Sequence, residues 1–521
     1  MRRLFSLLAV LALAACAAPV PDVPQRRVPA DISLPPMKSF AAARAQAPRR
    51  SNASIAADFM DLAFRLESGR ELEVFTRFEE PITVRILGTE PATLATDLDR
   101  LLFRLRDEAD IPIRRVEAQS EASITIEVLT RRDIQRSVPQ AACFVVPRVT
   151  SWEEFRRARG SSRLDWTTLR LRERMSIFIP GDVSPQEVRD CLHEELAQAI
   201  GPLNDLYRLT DSVFNDDNFH TVLTGFDMLI LRAYYDPSLR SGMSRELVAN
   251  RLPGILARIN PRGQGIGYVP REATTRNWID AIETALGPRT SPARRRSAAK
   301  EAVAIARERG WNDNRLAFAL YALGRLSLGA ETDLALASFL QAGKIYSESR
   351  ETRLHEAHVG MQLAAFALSA GQADVALDLV DRHEPAVRRA QNAALLASLL
   401  LVRAEALDLS GRGAEARDVR LDSLGWARYG FGANRNVLTR AAEISGLAPR
   451  RPEEAPHDRH CRHHLRSDPR RGDRQEPGGH RARHGAVRGG LRDRIRGAGS
   501  VPVASDRRRR VTRCSCRSSR R

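Results

Sequence analysis

Apolar residues recur every three or four positions in the stretch 184–205, at Val188, Leu192, Leu196 and Ala199. This spacing predicts a helix with one face packed against a core. Ser184 is a favourable N-cap, Pro185 suits the first helical position, and Gly201, followed by proline, ends the helix. We call this segment the central helix, because the patterns on either side are organised around it.

The chain before the central helix combines helical and strand-like patterns. Residues 55–67 and the stretch LATDLDRLLFRLRDEA have helical spacing, and ITVRIL at 82–87 has the pattern of a strand. Four further strand-like runs follow, IPIRRVE, SITIEVL, ACFVV and MSIFIPG. The predicted order is strand, helix, four strands and central helix, which indicates an α+β domain over residues 54–245.

Residues 293–448 are almost wholly helical in pattern and rich in Ala and Leu. Long apolar helices precede three regularly spaced glycines, Gly329, Gly371 and Gly411. This resembles a divergent array of three tetratricopeptide-like helix pairs, and an irregular helical bundle is the alternative. Either form offers a surface to a partner protein. Residues 246–292 are predicted to be a mixed connector, whose GQGIG is a plain turn because no strand precedes it.

The first sixteen residues have the pattern of an export signal, with Arg2 and Arg3 before an apolar run too short to span a bilayer. The run ends in LAAC at Cys16, which resembles the lipobox of bacterial lipoproteins, where the cysteine is acylated. A secretory signal with a chance cysteine is the alternative. Ala17, rather than Asp, favours the outer membrane facing the periplasm. Residues 17–53, rich in Pro, Ala and Arg, are predicted to form a disordered tether.

The net charge of +18 is concentrated at the C-terminus. Residues 451–521 hold 21 Arg against 8 Asp and Glu, so +13 of the charge lies there and +5 in the other residues. An exported, mildly basic body argues against a nucleic-acid partner. Residues 449–521 are predicted to be a disordered tail. Its abrupt start suggests a shifted reading frame, a hypothesis that a continuous frame on resequencing the junction would exclude.

The polar residues of the central helix form a second pattern. From Glu194 they read E-E-x-x-Q-x-x-G-x-x-N-D, which resembles the metzincin metallopeptidase signature H-E-x-x-H-x-x-G-x-x-H-D. The resemblance places Glu194, Gln198 and Asn204 at the three zinc-ligand positions. It places Glu195 at the general base and Asp205 after the last ligand. One carboxylate and two amides make a poor zinc site, so we expect no metal and no other cofactor.

The resemblance extends beyond the motif. Metzincins continue with a methionine turn beneath the metal and then a helix. Here Phe214 occupies the methionine position and Asp227 lies at the start of the helix. A surface loop followed by a core helix is the alternative. Residues 54–243 are also similar to an uncharacterised family of bacterial lipoprotein domains, whose recurrent form is this same helix motif and which has no assigned activity.

The metzincin resemblance also implies a disulfide. It brings Cys143, in the strand before the cleft, close to Cys191 in the central helix, and an exported compartment permits the bond. The loop of about fifty residues would contribute about 3 to 4 kcal/mol in the chain-entropy model. Two buried free thiols are the alternative.

These features predict a lipid-anchored envelope protein with a degenerate metallopeptidase-like domain that binds a peptide or polymer, and with helical repeats that dock a protein partner. The alternative is an active hydrolase in which Glu195 is the base and a hard ion such as Ca, Mg or Mn is bound. A nucleic-acid-binding or regulatory role ranks last, because the protein is predicted to be exported.

Overall fold

The computed structural model describes residues 34–43, 46–268, 270–287 and 290–449. The predicted lipidation site at Cys16 and the predicted tail from residue 450 onward lie outside these residues. Two large hydrophobic cores occur in the described part of the chain, one around a sheet and one within an array of helices. The predicted α+β class, with a sheet in the N-terminal part and a helical C-terminal region, is confirmed.

The sheet has five strands in the order β2-β1-β3-β5-β4. The strands are β1 (Ile82–Leu87), β2 (Ile113–Arg115), β3 (Ile124–Leu129), β4 (Phe144–Pro147) and β5 (Met175–Pro180). All pairings are parallel except that of β4 with β5, which is antiparallel and forms one edge of the sheet. Each strand coincides with a predicted run, although β4 continues one residue past ACFVV to Pro147. The agreement arises because the apolar residues that define those runs are the ones that enter the core.

Seven helices accompany the sheet in the described chain. They are α1 (Asn52–Phe64), α2 (Leu94–Ala109), α3 (Arg131–Ser137), α4 (Trp152–Ala158), α5 (Pro185–Ile200), α6 (Gly225–Tyr234) and α7 (Arg245–Ile259). The central helix is α5. Helices α3 and α4 were not predicted, because two turns are too few to display a helical period.

The ends of α5 are held as the sequence indicates, with one addition from outside the helix. At its start, the Ser184 hydroxyl accepts the backbone N–H of the residue three positions on. At its end, the buried guanidinium of Arg172 donates to the carbonyls of Gln198 and Ala199, at 2.7 and 2.9 Å, and to that of Gly201. Terminal carbonyls lack partners within a helix, and a positive charge suits that end of the helix dipole.

The predicted disulfide between Cys143 and Cys191 is confirmed, with the two Cα atoms 5.9 Å apart. Cys143 immediately precedes β4, and Cys191 lies in the middle of α5. The bond therefore fastens the edge strand of the sheet to the central helix.

Replacing either cysteine by serine is expected to lower the free energy of unfolding by about 3 to 4 kcal/mol, because the unfolded chain regains the entropy of the closed loop. The double variant Cys143→Ser with Cys191→Ser should cost little more than either single change, since both remove one bond. Denaturant unfolding of the three variants measures this. Additive losses would contradict a shared bond.

The C-terminal region of the described chain contains nine helices that share the second core. They are α8 (Arg276–Leu286), α9 (Pro292–Glu308), α10 (Asn314–Ser327), α11 (Thr332–Ser347), α12 (Arg353–Ser369), α13 (Ala373–Arg389), α14 (Ala393–Leu409), α15 (Gly413–Phe431) and α16 (Asn434–Ser445). The three glycines lie in the turns that join α10 to α11, α12 to α13 and α14 to α15. Gly371 and Gly411 have positive φ angles of 71° and 79°, which glycine adopts without strain.

The predicted connector, 246–292, contains two packed helices. The apolar face of α7 joins the core of the sheet, whereas Trp278 and the neighbouring apolar residues of α8 join the helical core. Only residues 260–275 therefore connect α7, which packs in the core of the sheet, to α8, which packs in the helical core. Within the described chain, no helix is both long enough and apolar enough to cross a membrane.

Part of the predicted tether is packed against the folded body, which corrects that prediction for residues 34–43 and 46–53. The ring of Phe40 stacks on Trp426 of α15 with 4.4 Å between centroids, and the Lys38 N–H donates to the Gly425 carbonyl. We call residues 34–43 the N-terminal strap. Stacking of one aromatic ring, hydrogen bonds to its main chain and the ion pair of Lys38 with Asp422 fasten it, and a composition rich in Pro and Ala does not reveal these contacts.

Candidate functional site

The two adjacent glutamates of the motif have different surroundings on α5. Glu195 is buried, and one of its oxygens accepts the backbone N–H of Val145 in β4. Its other oxygen, Oε2, has no hydrogen-bond partner among the described residues. Burial, with a contribution from neighbouring Glu194, raises the pKa of Glu195 well above its usual range. Glu195 is therefore held against the edge strand in surroundings that favour its neutral form.

The two amides at predicted ligand positions are engaged in internal hydrogen bonds. Asn204 Nδ2 donates to the carbonyl of Asp61 in α1, at 3.0 Å. Gln198 Nε2 lies 3.5 Å from Asp205 Oδ2, and both amide side chains are buried. The structure thus brings Gln198 to Asp205 but directs Asn204 away from them, towards α1.

Four carboxyl groups form an acidic cluster: Glu67, Glu194, Asp205 and Asp216. The Asp205 carboxyl donates a hydrogen bond to Glu67, and the Tyr207 hydroxyl donates to Asp216 at 3.1 Å. Glu67 and Asp216 were missed from the sequence. Glu67 follows α1, far from the motif along the chain, and contacts of α1 with the residues just after α5 bring it there, such as the hydrogen bond from the Leu203 N–H to the Leu62 carbonyl.

Mutual repulsion adds to burial in this cluster. Burial, together with the nearby Asp216 and Glu67, raises the pKa of Glu194 to about 8. Burial and the charges of Glu67 and Glu194 raise the pKa of Asp205 well above its usual range. The cluster therefore retains protons near neutral pH.

The segment after the motif, residues 203–224, inserts into the helical region, and we call it the insertion loop. Tyr207 and Phe219 are buried in the helical core rather than in the core of the sheet. The ring centroid of Tyr207 lies 5.0 Å from that of Trp278, and that of Phe219 lies 5.8 Å from that of Phe318. The helical region therefore encloses a part of this chain's own motif-bearing domain.

A buried polar contact accompanies these rings. His355 of α12 is fully buried, and its Nε2 lies 3.0 Å from the Asp217 carboxylate of the insertion loop. Asn314 Nδ2 of α10 donates to the carbonyl of Tyr207. These contacts position the insertion loop along three helices, so its conformation depends on the helical region.

The turn at the predicted methionine position is also built around one buried carboxylate. Asp227, at the start of α6, accepts the Ser212 hydroxyl and the backbone N–H groups of Val213 and Thr224. Phe214, the residue at the methionine position, is fully buried in the core of the sheet. Burial raises the pKa of Asp227 to about 6.

The residues at the ligand positions do not fit zinc. Gln198 and Asn204 present amide groups that already bond within the protein, and only Glu194 offers a carboxylate. In the described part of the chain, no three His, Cys, Asp or Glu side chains are grouped so that they could hold a metal ion. His193, beside the motif, accepts the backbone N–H of Leu223 with Nδ1.

The fold and the site thus define an α+β domain with a buried, acidic motif on its central helix. A family model described as a protein of unknown function, DUF2927, matches residues 52–254, which include the sheet, the central helix and the insertion loop. This agrees with the predicted similarity to an uncharacterised family. No curated protein and no solved structure matches the chain.

Proposed function

We propose that this protein is a lipid-anchored component of the bacterial cell envelope, on the outer membrane facing the periplasm. Its motif-bearing domain is a non-catalytic relative of metzincins that binds a peptide or polymer. The observation that carries the proposal is the use of the ligand positions for internal bonds: Asn204 binds α1, and Gln198 lies against Asp205. These side chains serve the fold in the places where a metallopeptidase needs imidazoles.

The arrangement around the motif supports a metzincin-like origin for the domain. A sheet with one antiparallel edge strand precedes α5, and the glycine after α5 turns the chain into the insertion loop. A side chain at Gly201 would meet Leu231 of α6 at 2.9 Å, so the close packing of these helices favours glycine there. Tyr235 donates from the end of α6 to the carbonyl of Ile200.

The degenerate motif gives a test of this origin. The variant with Glu194→His, Gln198→His and Asn204→His is expected to bind about one zinc per chain, because three imidazoles at metzincin spacing form a catalytic-type ligand set. The single change Gln198→His should bind none. Metal analysis of both purified variants measures this. A folded triple variant that takes up no zinc would count against the metzincin origin.

The alternative function is a hydrolase that uses Glu195 as base and a hard metal ion. The carboxylate and amide oxygens at the ligand positions suit Ca²⁺, Mg²⁺ or Mn²⁺ better than zinc. Metal analysis of unaltered protein, purified without added ions, separates the two functions when combined with an assay of peptide hydrolysis. A stoichiometric metal together with activity that Glu195→Gln abolishes would replace the non-catalytic proposal.

We propose that the helical region is a tetratricopeptide-like array and that it has two roles. Residues of the insertion loop are buried in its core, so one proposed role is to hold the motif-bearing domain in position. A protein partner is proposed to bind elsewhere on the array. A polar groove between α8 and α9, which includes Asp280, Arg294 and Glu301, is one open surface for such contacts.

The lipid anchor has a direct test. Cys16→Ser is expected to abolish labelling with fatty acid and to move the protein from the detergent phase to the aqueous phase, because acylation of this cysteine supplies the hydrophobic anchor. Phase partition and metabolic labelling measure the change, with Cys143→Ser as the matched control that keeps the anchor. Unchanged membrane association of Cys16→Ser would contradict the proposal.

A further inference from the structure

Three buried polar atoms beside the insertion loop have no hydrogen-bond partner in the described part of the chain. They are Oη of Tyr346 in α11, and Nδ1 of His355 and Nε2 of His358 in α12. All three belong to rings that surround Phe219 of the loop, with 4.4 to 6.4 Å between centroids. A buried polar atom without a partner costs free energy, so this interface is weaker than its aromatic contacts alone indicate.

Three histidines meet at this interface, and they differ in their partners. His355 is paired with the Asp217 carboxylate of the loop. His220 of the loop donates from Nε2 to the Thr210 carbonyl, at 3.2 Å, and its ring centroid lies 5.7 Å from that of His355. Within the described ranges of the chain, neither His220 nor His358 forms an ion pair. A proton added to either of these two rings would therefore have no carboxylate in contact with it.

The charged and titratable groups around these two rings come from four elements. They are Asp211 and Asp217 of the loop, Tyr321 and Arg325 of α10, Tyr346 of α11, and His355 of α12. The two aspartates act on His220, whereas Arg325 and the other two histidines act on His358. Because Nε2 of His358 also lacks an acceptor, a proton there would be held in positive surroundings without a hydrogen bond.

These surroundings keep both rings neutral while the loop is packed in the helical core. Burial, together with His355 and Arg325, lowers the pKa of His358 to about 3. Burial and His355 also lower the pKa of His220, which is partly exposed. In an open loop both histidines regain an ordinary pKa of about 6.5. Their contribution to the packed state is therefore fully present above about pH 6.5 and is lost as the pH falls below that value.

Two carboxyl groups near the loop act in the opposite direction. Glu351 accepts the Thr210 hydroxyl at 3.1 Å, and Asp216 accepts that of Tyr207. Burial raises the pKa of both carboxyl groups, so they hold protons in the packed state and release them when the loop opens. Comparison of matched variants separates the effect of the histidines from that of these carboxyl groups.

We propose that protonation of His358, assisted by His220, releases the insertion loop from the helical region in acid. At neutral pH both rings are neutral and the loop is packed. Release withdraws Tyr207 and Phe219 from the helical core. It also alters the acidic cluster beside the motif, because Asp216 belongs to the loop. This response is separate from the proposed function and requires neither a lipid anchor nor a metzincin origin.

The first test is hydrogen exchange of the full chain between pH 5 and 7.5, corrected for the intrinsic pH dependence of exchange. The amides of Leu206, Leu209 and Phe219 are hydrogen-bonded within the loop and report its opening. Each histidine is expected to raise the open fraction by up to about tenfold per pH unit below about pH 6.5. His358→Gln should therefore remove about one tenfold step per pH unit from the dependence seen in the unaltered protein.

His383→Gln is the matched control. His383 of α13 is also buried, but it packs against Gly360, which lies on a different face of α12 from His358. This control should keep the pH dependence of the unaltered protein. The proposal is overturned if His358→Gln and the unaltered protein have the same pH dependence, or if the open fraction of the unaltered protein does not rise in acid.

The second test needs no variant. In an NMR titration of the unaltered protein, the ring of His358 is expected to stay neutral at pH 5 in molecules whose loop amides remain protected. A ring that takes up its proton near pH 6.5 while the loop amides stay protected overturns the proposal, because the packed loop would then tolerate the charge.

Discussion

Phe219→Ala is expected to lower the free energy of unfolding by about 4 kcal/mol, the range found when a buried phenylalanine is truncated in a core. Phe219 is 3 % exposed, and its ring lies within 6 Å, centroid to centroid, of the rings of Phe318, Tyr321, His355 and His358. These partners belong to α10 and α12, whereas Phe219 belongs to the insertion loop. The substitution therefore removes contacts that join the two cores.

Urea unfolding followed by tryptophan fluorescence measures the loss. Phe103→Ala is the matched control, because Phe103 is 54 % exposed on α2, and its truncation should cost less than 1 kcal/mol. Phe219→Leu should recover part of the loss, since it restores apolar volume. A loss below about 1 kcal/mol for Phe219→Ala would show that the insertion loop is not held by the helical region.

Glu194→Gln is expected to stabilise the protein at alkaline pH, by on the order of 3 to 4 kcal/mol at pH 9. The pKa of Glu194 is raised from an ordinary 4.5 to about 8 in the folded protein. A raised pKa means that the folded state holds the proton more tightly than the unfolded state. The resulting stability is fully present below about pH 4.5 and is lost as pH rises through about 8. Glutamine mimics the protonated side chain at every pH.

The measurement is the free energy of unfolding between pH 4.5 and 9, for the unaltered protein and the variant. The two curves should meet near pH 4.5 and separate progressively above it. The control is Glu80→Gln, at an exposed glutamate, and its curve should run parallel to that of the unaltered protein. Parallel curves for Glu194→Gln would mean that the acidic cluster does not repel Glu194 in the folded state.

Phe219→Ala and Glu194→Gln test two neighbouring parts of the same structure, the insertion loop and the acidic cluster. The acidic cluster lies where the motif helix meets the insertion loop, and Tyr207 contacts both the cluster and the helical core. Tyr207 thus couples the ionisation of the acidic cluster to the position of the insertion loop in the helical core. We expect the hydrogen bond from the Tyr207 hydroxyl to Asp216 to strengthen when Asp216 is charged, because an ionised carboxylate is the better acceptor.

The local elements could be predicted because their signals lie within a few neighbouring residues. The strand patterns, the apolar stripe of α5, its cap at Ser184 and its end at Gly201 are all confirmed by the helix and strand bounds. Helices α3 and α4 were missed because each has seven residues. The disulfide partners could be named only through the resemblance, since spacing in the chain does not determine which cysteines meet.

The sequence by itself determined the α+β class, the central helix and the replacement of every imidazole in the motif, since these depend on local periodicity and on residue identity. Only the tertiary structure decided that Glu67 and Asp216 join Glu194 and that Phe219 enters the helical core. The physical reason is that long-range neighbours are set by how whole helices pack. Such packing depends on the summed burial of many side chains, and no single stretch of the chain records it.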